Sequence, residues 1–69
     1  MKGYYVIPRN GEPIEVVGVN ARDRAINTAR NIHKQDNDDE IIVQQFDDNN
    51  DGGYMSNLEC LYIKDILVH

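Results

Sequence analysis

The sequence contains few of the residues that enzymes and membrane proteins depend on. It has 69 residues with one cysteine, one serine, two histidines and no tryptophan. Because Cys60 has no partner for an internal disulfide, it fits a reducing compartment, and we expect it to be a small buried hydrophobe. No apolar run approaches the roughly 18 residues that cross a bilayer, and we expect no leader peptide. These absences predict one cytoplasmic domain, residues 1–69, that has no membrane contact.

Catalytic patterns are missing as well. Ser56 has no nucleophile-elbow sequence around it, and Gly52-Gly53 precedes a predicted strand, not the helix that a phosphate loop requires. Cys60 and His33 do not show the spacing of a metal site. We therefore expect no catalytic residues and a protein that is not an enzyme.

The chain is acidic, and its charge is unevenly divided. Twelve acids and seven bases give a formal net charge of −5. That balance opposes direct binding of nucleic acid, since phosphate contacts need clustered lysine and arginine. Four of the bases fall on a predicted helix, namely Arg22, Arg24, Arg30 and Lys34.

Seven of the acids fall in two loops on either side of one predicted strand, namely Asp36, Asp38, Asp39, Glu40, Asp47, Asp48 and Asp51. The plain interpretation of these loops is turn chemistry and solvation. The sharper interpretation is a negative surface that docks on a basic protein surface. We expect the two loops to lie at nearby ends of the sheet.

A β-hairpin is predicted at the start of the chain. Residues 3–7 (GYYVI) and 14–19 (IEVVGV) are rich in aromatic and β-branched residues, which favour strands. Asn10-Gly11 lies between them, and this pair is a strong signal for a hairpin turn. Residues 41–46 (IIVQQF) predict a third strand.

One helix is predicted between the second and third strands. Asn20 is a good N-cap, and Asp23 suits the positive end of the helix. Four apolar residues share one face at about 100° per residue, namely Ala21, Ala25, Ala29 and Ile32. The helix should end near Lys34 or Gln35.

The C-terminal segment, residues 54–68, favours a strand over a helix. Three β-branched residues support the strand, namely Ile63, Ile66 and Val68. Leu58, Leu61 and Tyr62 also suit a helical turn. With this strand the order is β-β-α-β-β, which predicts an α+β domain with one helix packed on a mostly antiparallel sheet.

The tyrosines are candidates for core and interface. We expect Tyr5 and Tyr62 in the core and Tyr4 and Tyr54 on the outer side. Tyrosine anchors interfaces because it buries area and keeps a polar tip. Tyr54 therefore joins the loop acids as a candidate partner-binding residue.

One loop matches the first half of a calcium site. Asp47, Asn49 and Asp51 take the first, third and fifth positions, and Gly52 takes the sixth. The bidentate glutamate of position twelve is replaced by Leu58. The plain interpretation is an acidic hairpin loop, and the alternative is a weakly held calcium ion.

The segment 16–43 carries a resemblance in layout. A strand leads into a capped helix with alanines four apart, Ala21, Ala25 and Ala29 after Asn20, and a strand follows. This layout resembles small phage and mobile-element proteins, among them anti-CRISPR proteins and a small phage inhibitor of bacterial RNA polymerase. The resemblance implies a small host-interaction protein that works by occupying a partner's surface.

These observations predict a non-enzymatic protein that inhibits or modulates a host machine that handles nucleic acid. Its acidic loops would bind a host protein with a basic surface, without touching nucleic acid or membrane. Two alternatives stay open: a small calcium-binding or calcium-stabilised module, and a self-associating protein that forms a homodimer through exposed strand edges.

Overall fold

The chain begins with the predicted hairpin. The structure is a computed structural model that describes residues 2–47 and 58–68. Strand β1 (Lys2–Ile7) pairs antiparallel with strand β2 (Ile14–Val17). Strand β2 ends earlier than predicted because Gly18, at a φ of 96°, turns the chain towards the helix.

Helix α1 spans Ala21–Asp36, and its predicted apolar face is confirmed. Ala21, Ala25 and Ala29 are buried, and Ile32 packs partly buried against the core. The side chains of alanine are short, so the helix axis lies close to the sheet.

Both ends of α1 use asparagine in the left-handed backbone conformation. The predicted capping bond of the Asn20 side chain is absent; Asn20 has a φ of 58°, and its carbonyl accepts a hydrogen bond from Arg24 N at 2.9 Å. Asn37, at a φ of 53°, donates its N–H to His33 O at 2.8 Å. Asparagine tolerates this conformation better than most residues. Asn20 can therefore begin the helix and Asn37 can end it.

Strand β3 (Ile42–Asp47) returns along β1 and completes the centre of the sheet. The strand order is β2-β1-β3-β4, and all neighbours are antiparallel. Helix α1 packs on one face of this sheet, which confirms the α+β class. The core lies between them and consists of Tyr4, Val6, Val16, Ala21, Ala25, Ala29, Ile41, Val43, Ile63 and Ile66.

The C-terminal segment departs from the prediction. Strand β4 is only Cys60–Tyr62, and helix α2 (Ile63–Val68) follows it, so the prediction of a continuous strand was wrong. The last residue of β4 pairs with Ile42, which is the first residue of β3. Ile63 N still donates to Ile41 O at 3.0 Å, and beyond that bond a longer β4 would have no neighbour on β3. Helical spacing instead buries Ile63 and Ile66 together, at 1% and 6% exposure.

Four side chains lie elsewhere than predicted, namely Tyr4, Tyr5, Tyr62 and Cys60. Tyr4 is in the core at 8% exposure, whereas Tyr62 is 52% exposed and Cys60 is also exposed. The cause is strand register, because Tyr4 lies on the face that meets α1, and Cys60 and Tyr62 lie on the opposite face. Tyr5 is half-buried on that opposite face, and Tyr54 lies outside the described residues.

Candidate functional site

A cleft of about 530 Å³ opens between the β1–β2 loop and the C-terminal end of α1. Its lining combines apolar side chains, namely Pro8, Ile14 and Ile32, with four acids, namely Glu12, Asp36, Asp38 and Asp39, and with one base, Arg9. We call it the acidic cleft. It joins three of the predicted binding acids to residues of the hairpin.

Asp38 holds the two walls of the acidic cleft together. Its Oδ2 accepts the backbone N–H of Arg9 at 2.8 Å, and its Oδ1 accepts that of Glu40 at 2.9 Å. Both bonds stabilise the charged carboxylate and hold the pKa of Asp38 below its usual range; the bond from Glu40 has the larger effect and the bond from Arg9 the smaller. Asp38 thus fixes the loop, and its oxygens are already engaged.

His33 connects the last turns of α1 to the same loop. Its Nδ1 lies 3.0 Å from the carbonyl oxygen of Asp38 and 3.8 Å from Oδ1 of Asp39. The side chain of Asp39 nevertheless stays 74% exposed. The loop therefore presents Asp39 to solvent from a backbone that is tied to the helix.

One exposed ion pair borders the cleft. Arg9 Nε lies 3.3 Å from Glu40 Oε2, with side chains 64% and 63% exposed. An exposed pair of this kind contributes about 0–1 kcal/mol, so a partner can compete for Glu40 at little cost. Glu12 and Asp36 have no ion-pair partner within residues 2–47 and 58–68.

The arginines of α1 do not neutralise the acidic cleft. Arg24 donates from Nε to Val19 O at 3.0 Å, and a second nitrogen donates to Val17 O. Arg30 reaches Ile66 O, at the end of α2, at 3.5 Å. Both guanidinium groups donate hydrogen bonds to backbone carbonyl oxygens of the same chain. Part of the positive charge predicted for the helix surface is therefore used in bonds within the chain.

A second polar cluster, at the N-terminal end of α1, was missed from the sequence. Glu59 accepts two hydrogen bonds from Arg22, at 2.9 and 3.1 Å, and one from Tyr4 OH at 2.9 Å. The Arg22 guanidinium lowers the pKa of Glu59, whereas burial and then the Glu59 carboxylate raise the pKa of Tyr4. Tyr4 and Glu59 are 55 positions apart, and no local pattern links them.

The predicted binding acids do not form one group. Four of them lie together before β3, namely Asp36, Asp38, Asp39 and Glu40, whereas Asp47 ends β3 opposite Lys2. A six-residue strand separates its ends by roughly 17 Å, so the expectation of nearby loop ends was wrong. The remaining predicted residues lie outside the described part of the chain, namely Asp48, Asn49, Asp51 and Tyr54.

Calcium binding by Asp47, Asn49 and Asp51 stays a prediction, because two of these residues lie outside the described ranges. Among the residues that the structure does describe, no group of three or more metal-ligating side chains is found. In the same part of the chain, neither helix is long and apolar enough to cross a membrane.

Comparison with known proteins finds no matching family model, no matching curated protein and no matching solved structure. The resemblance in layout to phage and mobile-element proteins therefore stays an expectation from the sequence.

Proposed function

We propose that the protein is a binding module that docks on a basic protein surface through the acidic cleft. The observation that carries the proposal is the lining of the cleft, where apolar side chains lie beside carboxylates. A lysine or arginine side chain suits that combination, because its aliphatic stem packs on apolar groups while its cationic head pairs with acids.

The cleft is braced before any partner arrives. Asp38 bonds the backbone of both walls, and His33 holds the carbonyl group of Asp38. A loop that is already ordered loses less conformational entropy on binding. This bracing supports recognition through the neighbouring acids Asp36 and Asp39, which keep their side chains for the partner.

The charge of the whole chain supports the same partner. A net charge of −5 attracts a basic surface and speeds the encounter. Within the proposal, the partner is a host protein that handles nucleic acid, because such proteins present lysine and arginine to phosphates. Binding would cover those side chains and inhibit or modulate the machine, as an anti-CRISPR protein does.

A peptide titration followed by NMR tests the site. The probe is a short unstructured peptide with one lysine, and its control is the same peptide with norleucine in place of lysine. We expect the lysine peptide to move the amide signals of Arg9, Gly11, Asn37 and Asp39 most. Added salt should weaken the effect, because exposed charge pairs are screened.

Two results would contradict the proposal. One is an equal response to the lysine and norleucine peptides, because the carboxylates would then contribute nothing. The other is a set of shifts centred away from the cleft, for example on the residues around Glu59. Either result leaves the fold intact and removes the assigned site.

A further inference from the structure

His33 lies beside the acidic cleft, in the last turn of α1, without lining it. Its Nδ1 is 3.0 Å from the carbonyl oxygen of Asp38, a residue of the cleft lining. Because a carbonyl oxygen only accepts hydrogen bonds, Nδ1 carries a proton and donates it. The neutral ring therefore braces the loop without adding charge to it.

The second ring nitrogen of His33 is free to take a proton. Within the described part of the chain Nε2 makes no hydrogen bond, and no buried side-chain nitrogen there lacks a partner, so Nε2 is open to solvent. The side chain as a whole is 27% exposed. Histidine is the side chain whose charge ordinarily changes between about pH 5 and 8. A proton from water can therefore reach Nε2 and make the ring cationic.

Asp39 is the acid that a cationic ring would hold. Its Oδ1 lies 3.8 Å from Nδ1 of His33, and its side chain also lines the acidic cleft. A neutral ring does not form an ion pair at that separation, so the carboxylate stays available to a partner. A cationic ring does form one, and Asp39 then has two cations that compete for it.

The charged groups around His33 are of types that titrate far from neutral pH. Arg30 and Lys34 line a groove of α1 together with His33, and α2 contributes the uncharged Leu67 to that groove. Asp36 lies one turn further along α1. Lysine and arginine ordinarily titrate above about pH 10 and carboxyl groups near about pH 4. A change of pH between about 5.5 and 7.5 therefore acts on the ring and not on its neighbours.

We propose that protonation of His33 weakens the binding of a basic partner by drawing Asp39 away from it. The inference rests on the proposed function, because the site that it regulates is the acidic cleft. The cationic ring pairs with Asp39, and it also adds a positive charge beside a cleft that takes lysine or arginine. The protein then holds its partner more tightly at neutral pH than in mild acid.

The expected size of this effect follows from exposure. The side chain of Asp39 is 74% exposed, and exposed ion pairs are weak, so the affinity should fall roughly 2- to 5-fold when the ring becomes charged. The bond from Nδ1 to the carbonyl group of Asp38 is made in both states of the ring. The loop therefore keeps its shape, and the change is one of charge.

The test is the dissociation constant of a lysine peptide at about pH 7.5 and about pH 5.5, at one ionic strength. The peptide is acetylated and amidated, so that it carries no group that titrates in this interval. We expect the parent protein to bind roughly 2- to 5-fold more weakly at the lower pH. Circular dichroism at both pH values checks that the protein stays folded.

The variant His33→Asn removes the titration and keeps the hydrogen bond. The asparagine amide can donate to the carbonyl group of Asp38 but gains no charge in acid, so the affinity should no longer depend on pH. The matched control is His69→Asn, which removes the other histidine of the sequence and should keep the full response. Melting curves check that both variants fold, and His33→Gln replaces His33→Asn if that variant does not.

The variant Asp39→Asn tests the pair itself. It should bind the peptide more weakly at both pH values, because one acid of the cleft is gone. Most of the pH response should disappear with the carboxylate, since the cationic ring then has no partner to draw from the cleft.

The outcomes separate this inference from the proposed function. No binding at either pH, or equal binding of the norleucine peptide, would remove the proposed function and the inference with it. An affinity that does not change with pH, or a pH response that His33→Asn retains, would overturn the inference and leave the binding proposal standing. A response that stays whole in Asp39→Asn would also overturn it, because His33 would then act through another group.

Discussion

At the scale of single residues, neighbouring aspartates in one loop have different structural roles. The sequence predicted Asp38 as a partner-binding residue equivalent to Asp39. In the structure Asp38 accepts two backbone hydrogen bonds, while the side chain of Asp39 is 74% exposed. That division depends on the approach of Arg9 from a distant part of the chain, so no count of acids in one segment could predict it.

Stability should depend on pH through Asp38 and Glu59. Both have a folded-state pKa below the ordinary value. Each therefore adds stability that is present above its unfolded-state pKa and is lost as pH falls through the folded-state value. We expect the melting temperature to fall as pH drops below about 5, and Asp38→Asn and Glu59→Gln to flatten that fall. A slope that neither variant changes would contradict the assigned bonds.

Gly3 is a residue at which even one methyl group should be harmful. An added Cβ would lie 2.6 Å from Val16 O. This backbone oxygen cannot move away unless strand β2 shifts. Gly3→Ala should lower the free energy of unfolding by about 1–3 kcal/mol. This exceeds the roughly 0.4–1 kcal/mol that alanine gains by restricting the unfolded chain. Urea unfolding measures the difference, and an unchanged midpoint would contradict the close packing.

At the scale of elements, long periodic segments could be predicted and short ones could not. The alanines four apart fixed the face of α1 because that pattern persists through several turns. Helix α2 has six residues, too few for its period to outweigh the β-branched residues within it. Its start is set by β3, since β4 stops where its partner strand stops.

The helical phase of α2 predicts unequal effects at adjacent positions. Ile66 is 6% exposed and Leu67 is 47% exposed. Ile66→Ala should therefore lower the free energy of unfolding by about 2–5 kcal/mol, whereas Leu67→Ala should lower it by much less. Chemical denaturation of the two variants checks this. Equal losses would be incompatible with α2 as described.

At the scale of the whole molecule, the order of helix and strands decides where the acidic residues lie. The acids of residues 36–40 could be predicted as an exposed group because they follow a helix and precede a strand. Their cleft could not, because its other wall comes from Pro8, Glu12 and Ile14 in the hairpin. The position of Asp47 at the far end of β3 then divides the predicted acidic surface.

Removal of two cleft acids should weaken binding more than removal of two acids elsewhere. Asp36→Asn with Asp39→Asn removes charge from the cleft lining. Asp23→Asn with Asp65→Asn removes the same charge from exposed positions outside it. Because an exposed pair contributes about 0.2–1 kcal/mol, the cleft variant should lose roughly 2- to 30-fold in affinity.

The most direct measurement is the dissociation constant of a lysine-rich peptide for these two double variants, side by side at moderate salt. The binding proposal predicts that the cleft variant binds more weakly than the distal variant, which should stay near the parent protein. Equal loss in both would show that net charge alone attracts the peptide. That result would contradict the acidic cleft as the binding site.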